Sequence, residues 1–459
     1  MSFIFRFRKS SSGKLKLRGI EAYNNGNYTK AVKYLSEHLK KCPRSYSELF
    51  FRAQAYINLQ NYSAAKQDLD IIVEIQPNSI DAWILRSQVC RILKMTDQVL
   101  FSLGWALDLD PTNQEALFAR AVCYYARYSY KEALNDVNIY LCRAPNDTSA
   151  IKLRAQVYHG LSNMQRAIAD LNRCEQINER DLEAILLKGR VYRTFLAHEE
   201  ALREINKALY LDPKNALAIG MRGDIYACMK SFTKAISDFD RALELDPGNA
   251  YVLMRRGELC SRMKEYSAAV QWFSKSISRD PDNPKTLGWR AEIYFRLRQY
   301  DLAYKDAKKA LDIHPLEAVA LCAMGSILEE SKDYEGAIKH LTNAIIVSSR
   351  TASLYYKRGN IYCHQKRYDL ALADANMAVR LDPRSLYLDL RGGCYFMLGQ
   401  YELALADFTI VLQSEPGNKR ARKYMNIIHN INEQMSIHSG SYRANEQMSI
   451  NSGSYHFTV

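Results

Sequence analysis

The prolines of this chain form a ladder with a spacing of 34 residues. Ten of the eleven prolines lie on it, at positions 43, 77, 111, 145, 213, 247, 281, 315, 383 and 416. Glu179 and Ser349 occupy two rungs where proline is missing, and the last interval is 33 residues. A fixed period of this length predicts a stack of similar supersecondary units, each packed on its neighbours. A chain of 459 residues can then fold without one large central core.

Two small residues recur in every unit, twelve places apart. We number the places from Ser12, so that each ladder proline is place 32, and the last unit begins one residue early at Ser385. Place 8 is Gly, Ala or Ser in all twelve units, and place 20 is Ala in all but one, where it is Val99. Two antiparallel helices that cross closely need small side chains at the crossing, because larger ones would overpack it. The sequence therefore predicts an all-α chain of twelve helical hairpins over residues 12–418.

Each unit also carries the apolar faces and caps of two helices. Places 4, 8 and 11 give the first helix a buried face, and places 20, 24 and 27 do so for the second. Place 34 is a favourable N-cap for the next first helix in eight units. These residues are Ser45, Ser79, Asn113, Asp147, Asp181, Asn215, Asn249 and Asn283. Pro284 directly follows the last of them and suits the first turn of a helix.

This pattern resembles the tetratricopeptide repeat (TPR) family, and the similarity covers residues 12–418. Residues 216–247 match the family consensus closely and read ALAIGMRGDIYACMKSFTKAISDFDRALELDP. The resemblance implies a right-handed superhelical solenoid of about twelve TPR units. It also implies a concave groove, lined by the first helices, that receives a peptide or helix from another protein.

Each unit tends to carry a base on its first predicted helix and an acid on its second. Place 7 is Arg in ten units and Lys188 in another, and place 23 is acidic in eight units that all have this base. The acids are Asp68, Asp136, Asp170, Glu204, Asp238, Asp306, Asp374 and Asp407. We interpret the pattern as structural ion pairs, either between the two helices of a unit or between adjacent units. An arginine stripe that binds phosphate is the alternative, but it leaves the matched acids unexplained.

In the TPR family, places 2, 5, 9, 12 and 13 face the groove. Aromatic and amide side chains at these places suit an extended peptide, because rings fill pockets and amides pair with its backbone. The candidate groove residues of this type, with the interleaved basic ones, are Tyr23, Phe50, Gln54, Ile57, Gln88, Arg91, Phe118, Tyr125, Gln156, Arg190 and Arg193. Place 9 then becomes acidic at Asp224, Glu258 and Glu292, which favours a basic segment as ligand. The alternative is that these positions are polar only because they are exposed, and that some rings pack sideways.

A co-chaperone function is disfavoured by the same places. The carboxylate clamp that binds chaperone tails in the family needs Lys at place 5, Asn at place 9 and Asn at place 6 of the next unit. Lys16 is followed at place 9 by Ile20, and Lys152 by Gln156. No unit has Asn at place 6. The clamp is incomplete in every unit.

The net charge of +13 is concentrated at the ends of the chain. Residues 1–45 carry eleven Lys/Arg against two Glu, and residues 46–418 are almost neutral. This distribution argues against a basic stripe for nucleic acid. Recruitment to a membrane surface or an acidic partner through residues 1–45 remains an alternative function. No apolar run is long enough for a transmembrane helix.

The ends of the chain differ from its body. Residues 1–11 form a basic segment, and residues 419–434 predict a helix that caps the last unit, since solenoids need a polar end. Residues 435–459 predict a disordered polar tail. A tandem duplication lies in this region, since NEQMSIHSGSY at 432–442 is repeated as NEQMSINSGSY at 445–455.

No catalytic or metal-binding motif occurs in the sequence, so we expect neither an enzyme nor a cofactor. The ten cysteines form no C-x-x-C pair and are interpreted as reduced residues of a cytoplasmic or nuclear protein. The leading hypothesis is a scaffold or adaptor that binds peptides or helices of other proteins.

Overall fold

A computed structural model describes residues 11–432, whose helices form two packed units, one ending at Met229 and the other beginning at Lys230. The predicted basic segment before Ser11 and the predicted disordered tail over 435–459 lie outside the described residues. Within 11–432 the secondary structure consists of helices joined by short turns.

Thirteen helices lie in the part of the first unit that the structure describes. They are α1 (Ser11–Asn24), α2 (Tyr28–Leu39), α3 (Tyr46–Asn58), α4 (Tyr62–Ile75), α5 (Ile80–Ile92), α6 (Thr96–Leu109), α7 (Gln114–Ala126), α8 (Tyr130–Arg143), α9 (Thr148–Gly160), α10 (Met164–Ile177), α11 (Leu182–Thr194), α12 (His198–Leu211) and α13 (Ala216–Cys228).

In the second unit, the described residues form twelve helices. They are α14 (Phe232–Leu245), α15 (Ala250–Arg262), α16 (Tyr266–Arg279), α17 (Pro284–Arg296), α18 (Tyr300–Ile313), α19 (Ala318–Glu330), α20 (Tyr334–Val347), α21 (Ala352–His364), α22 (Tyr368–Leu381), α23 (Ser385–Met397), α24 (Tyr401–Ser414) and α25 (419–432).

The helices begin where the repeat frame places them. From the second repeat on, each first helix begins at place 1, as at Tyr46 and Ala318, and each second helix begins at place 17, as at Tyr62 and Tyr334. The prediction of an all-α chain of repeated helical hairpins is confirmed.

In several repeats the glycine at place 8 lies directly under the side chain at place 24 of the same hairpin. A Cβ atom added to Gly257 would lie 2.8 Å from Cε1 of Phe273, and one added to Gly325 would lie 2.7 Å from Cγ of Leu341. Both place-24 side chains are fully buried. Place 8 must be small because a large apolar side chain from the second helix fills the space above it.

The turn inside each hairpin requires a left-handed backbone at place 15. Gly26 and Gly399 adopt this conformation with φ near +75°, where the missing Cβ removes the steric penalty. In ten other repeats a residue with a side chain does so, for example Lys94 with φ +58° and Leu196 with φ +63°. The conformation ends the first helix in the manner of an αL C-cap.

Most of the predicted N-caps are confirmed. Seven of the eight place-34 side chains accept a hydrogen bond from a backbone N–H in the first turn of the next first helix, as Asn113 does from Ala116 at 3.0 Å. Ser45 is the exception, since its hydroxyl donates to the Glu48 carboxylate and does not cap α3. Pro284 occupies the first turn of α17, as predicted.

The helix α25 covers the apolar side of α24. Ala421 and Ile428 are fully buried in a cluster with Phe408 and Val411, and the ring of Tyr424 stacks on Phe408 at 5.6 Å. No helix among the described residues is both long and apolar enough to span a membrane.

Candidate protein-binding groove

Ion pairs fix the two helices of a hairpin against each other. Within the two units taken separately, seven predicted pairs join place 7 to place 23 of the same repeat, with nitrogen–oxygen distances of 2.5 to 2.9 Å. They are Arg52–Asp68, Arg120–Asp136, Arg154–Asp170, Lys188–Glu204, Arg290–Asp306, Arg358–Asp374 and Arg391–Asp407. The interpretation as structural ion pairs is confirmed. Of the two arrangements considered, within one repeat or between adjacent repeats, these seven pairs adopt the first.

Several of these arginines also reach back to the preceding repeat. The Nη1 of Arg358 donates to the hydroxyl of Thr342 at 2.9 Å, while its Nε and Nη2 bind both oxygens of Asp374. Arg52, Arg154 and Arg290 make the equivalent contact with place 25. The side chain therefore ties three helices together, and its hydrogen bond to Asp374 raises the pKa of Arg358.

In two of the repeats without an acid at place 23, the arginine pairs with an acid at place 25 of the preceding repeat instead. Arg86 binds Asp70 of the preceding repeat at 2.7 Å and also donates to Ser102, which stands where the acid would be. Arg256 lies 3.4 Å from Asp240 in the same way. A small polar residue at place 25 could have predicted these contacts from the sequence, but our prediction of ion pairs did not include that place.

Three of the candidate groove residues line one cleft between α5 and α7. The cleft has a volume of about 520 Å³, and its walls include Gln88, Arg91 and Phe118. Gln88 and Arg91 are exposed, and the Gln88 amide donates to Glu115 across the cleft at 2.8 Å. The ring of Phe118 is half-buried against Tyr140, with ring centres 5.5 Å apart. Apolar surface and polar groups thus lie together on the first helices of the third and fourth repeats.

Other candidate aromatics pack against their own neighbourhood. Tyr23 contacts the rings of Tyr28 and Phe51, at 5.7 and 5.3 Å. Phe50 stacks on Tyr46 at 5.9 Å, and Tyr125 lies 6.0 Å from Tyr130. The sideways-packing alternative thus describes much of these three rings, which leave only part of their surface to a ligand. Gln54, Ile57 and Gln156 are half-buried on the same series of helices.

The acidic residues at place 9 are buried and paired with bases of the fold, which corrects the expectation that their charges are open to a basic segment, although Glu292 also lines a cleft of the second unit. Asp224 lies 3.2 Å from Arg193 within the first unit. In the second unit Glu258 pairs with Arg255 and Arg262, and Glu292 with Arg296.

Their charge is already compensated inside the fold. Although burial alone would raise it, the charges of Arg255 and Arg262 lower the pKa of Glu258 to about 2. The sequence pattern gave the position of these acids but not the bases that neutralise them.

Basic residues surround a histidine on α9. Burial, together with the charges of Arg190 and Arg193, lowers the pKa of His159 to about 4. Its ring lies edge-on to Phe195 at 6.2 Å, and its Nε2 has no hydrogen-bond partner among the described residues. The neutral imidazole is therefore part of the packing between α9 and α11.

His159 predicts a loss of stability in mild acid. The unfolded side chain titrates near 6.5, so between that pH and about 4 the unfolded state binds more protons than the folded one. The free energy of unfolding of the first unit should fall by about 2–3 kcal/mol as the pH drops through this window. Hydrogen exchange of α9 and α11 between pH 7 and 4 measures it. His159→Gln should flatten this dependence, whereas the exposed His429→Gln should leave it unchanged, and equal slopes in all three proteins would contradict the assignment.

A second cleft, of about 340 Å³, lies in the second unit on α17, α19 and α21. Its walls include Trp289, Val319, Leu354 and Lys357, and the Lys357 ammonium donates to Ser326 at 2.7 Å. Burial raises the pKa of the Cys322 thiol in the same wall. Trp289 and Lys357 occupy place 6, which is outside the family's groove places, so sequence reasoning missed them. Within 11–432, no group of three His, Cys, Asp or Glu side chains is placed to hold a metal ion.

Comparison with protein families gives matches near the N-terminal end of the repeat array and in its second half. Models described as tetratricopeptide repeat match residues 16–80, 221–284 and 352–385. A model described as anaphase-promoting complex, cyclosome, subunit 3 matches residues 262–344.

Curated relatives are similar over short segments. A DnaJ homolog subfamily C member 3 homolog of Dictyostelium discoideum is 28% identical over 151 residues, covering 29% of this chain and 30% of that protein. Human sperm-associated antigen 1 is 36% identical over 74 residues, covering 16% of this chain and 8% of that protein. The matches therefore span less than a third of these relatives.

Solved structures share the fold over longer stretches. A crystal structure of the APC/C hetero-tetramer Cut9-Hcn1 superimposes with a TM-score of 0.56 at 15% identity, covering 91% of this chain and 96% of that one. A tetratricopeptide repeat protein from Parabacteroides merdae gives a TM-score of 0.51 at 21% identity, covering 53% of this chain and 97% of that one. The 34-residue hairpins, their small crossing residues and the matches to the tetratricopeptide repeat models agree, and together they show that the chain is a tetratricopeptide repeat protein.

Proposed function

We propose that this protein is a non-catalytic scaffold, and that the cleft between α5 and α7 binds an extended segment of another protein. The observation that carries the proposal is the cleft itself, in which Phe118 lies beside the exposed Gln88 and Arg91. An aromatic wall gives a partner side chain apolar surface to bury, and amide and guanidinium groups bind peptide carbonyls.

The charge of the cleft favours a segment that is neutral or contains both signs. Arg91 supplies a cation and Glu115 a carboxylate, and the Gln88 amide already bridges toward Glu115. A strongly acidic or strongly basic peptide would meet one like charge in either case. The Cut9-Hcn1 structure, which shares the fold, is a complex of two different proteins and supports an interaction role.

Site-specific photo-crosslinking in the full-length chain tests the proposal. A photoreactive amino acid at Gln88 should capture a defined partner in cells, whereas the same group at the exposed Tyr210 on α12 should not. Phe118→Ala should weaken capture on the order of tenfold or more, because truncating an aromatic anchor costs about 2 kcal/mol.

The matched control is Phe101→Ala, which truncates an exposed ring on α6 instead of the cleft wall. It should leave capture unchanged, and circular dichroism should show that both variants remain folded. The proposal would be wrong if the two variants reduced capture of the partner equally, or if Phe118→Ala left capture unchanged.

A further inference from the structure

Two thiols in the last two repeats are in contact. The Sγ atoms of Cys363 on α21 and Cys394 on α23 are 3.6 Å apart. Their separation of 31 residues is the register in which successive first helices lie side by side, as in the contact between Lys357 and Ser326. Cys394 is only 1% exposed, whereas Cys363 is half-buried. A small oxidant can therefore reach one thiol, and the second lies directly behind it.

The two thiols differ in acidity. A hydrogen bond from Cys394 and the positive charge of Arg420 on α25 lower the pKa of Cys363, against the effect of burial. The same contact, together with burial, raises the pKa of Cys394. The thiolate of the pair therefore forms on Cys363, which is also the more accessible sulfur.

We propose that Cys363 and Cys394 form a reversible disulfide when the protein meets hydrogen peroxide. The Cys363 thiolate attacks one peroxide oxygen, the O–O bond breaks, and hydroxide leaves and takes up a proton to become water. The Cys394 sulfur then attacks the sulfenic sulfur of Cys363, the S–O bond breaks, and a second water leaves with the Cys394 proton. Two thiols lose two electrons, and one peroxide is reduced to two waters.

The geometry requires little movement. A disulfide has a sulfur–sulfur distance of about 2.05 Å, so the two atoms need to approach by about 1.5 Å, which side-chain rotation can supply. The new bond would join the first helices of two neighbouring repeats. It would also close a loop of the chain between positions 363 and 394, which restricts the unfolded state. Oxidation should thus hold the last two repeats together, whatever ligand the first unit binds.

Peptide mapping of the full-length protein tests this inference. Trypsin places the two cysteines in separate peptides, residues 359–366 and 392–419, neither of which contains another cysteine. After mild treatment with hydrogen peroxide, the main new product should be these two peptides linked and two hydrogen atoms lighter than their sum. Dithiothreitol should separate them, and the oxidised protein should melt at a higher temperature than the reduced one.

Single variants assign the roles. In Cys394→Ser, Cys363 should accumulate sulfinic acid, and in Cys363→Ser, Cys394 should stay reduced at the same peroxide dose. Cys142→Ser removes an exposed thiol and should leave the linked peptide unchanged. Sulfinic acid on Cys363 without the cross-link in the unaltered protein, or Cys394 joined to a different cysteine, would overturn the proposal. These readouts do not involve the groove, so their failure would not touch the proposed function.

Discussion

Leu341→Ala is expected to lower the free energy of unfolding of its repeat by about 2–5 kcal/mol. Leu341 is fully buried at place 24 of α20, and its removal leaves a cavity over Gly325 on α19. A repeat array does not always unfold in a single two-state transition, so the loss of stability can be local to one part of the chain. Hydrogen exchange in α19 and α20, together with urea unfolding, therefore measures it.

The same pair of residues provides a sharper test through a double-mutant cycle. Gly325→Ala alone should be destabilising, although alanine favours a helix by about 1 kcal/mol, because its Cβ would lie 2.7 Å from Cγ of Leu341. In the Leu341→Ala background that atom is absent and the new methyl group partly fills the cavity. The double variant should therefore be more stable than Leu341→Ala alone.

Ile346→Ala is the matched control, since it truncates a side chain on the same helix that is 73% exposed. It should change the stability by no more than about 0.5 kcal/mol. Equal losses at Leu341 and Ile346, or strictly additive effects of Gly325→Ala and Leu341→Ala, would show that place 8 and place 24 do not pack as described.

Asp374→Ala should be the second large effect, a loss of about 2–4 kcal/mol. The side chain of Asp374 is 6% exposed and binds both Nε and Nη2 of Arg358, so its removal leaves a largely buried guanidinium without its counter-charge. Thr342→Val removes only the third contact of that guanidinium and should cost about 1 kcal/mol. Urea unfolding and hydrogen exchange in α20, α21 and α22 measure both variants.

An exposed pair in the same region is the control. Glu335 is 76% exposed and lies 3.7 Å from Arg367, so Glu335→Ala should cost less than about 1 kcal/mol. If Asp374→Ala behaved like Glu335→Ala, the pairs between place 7 and place 23 would be surface charges and would not hold the hairpins together.

Much of the fold followed from patterns inside one repeat. The starts of most first helices, the small residues at places 8 and 20, and the charges at places 7 and 23 that form ion pairs were all predicted. These features depend on the contacts between two helices joined by a short turn. A local sequence pattern encodes such contacts because every repeat solves the same packing problem.

The sequence predicted the candidate groove less completely than it predicted the fold. Gln88, Arg91 and Phe118 share a cleft, but Tyr23, Phe50 and Tyr125 pack against neighbouring rings. Side-chain rotamers set which part of each ring stays open, and a place number does not specify a rotamer. In the second cleft the sequence indicated Glu292 but not Trp289 and Lys357, because these two lie at place 6, which the family pattern does not use.

By itself, then, the sequence determined that this chain is a run of helical hairpins and which places carry the charges that pair. The tertiary structure decided what meets between repeats. Arg358 reaching Thr342 and Cys363 touching Cys394 both depend on how neighbouring helices are aligned. Successive first helices place residues 31 positions apart side by side, as at Cys363 and Cys394, whereas the sequence repeats every 34. A pattern with the period of the repeat cannot show contacts that are set by the packing of one helix on the next.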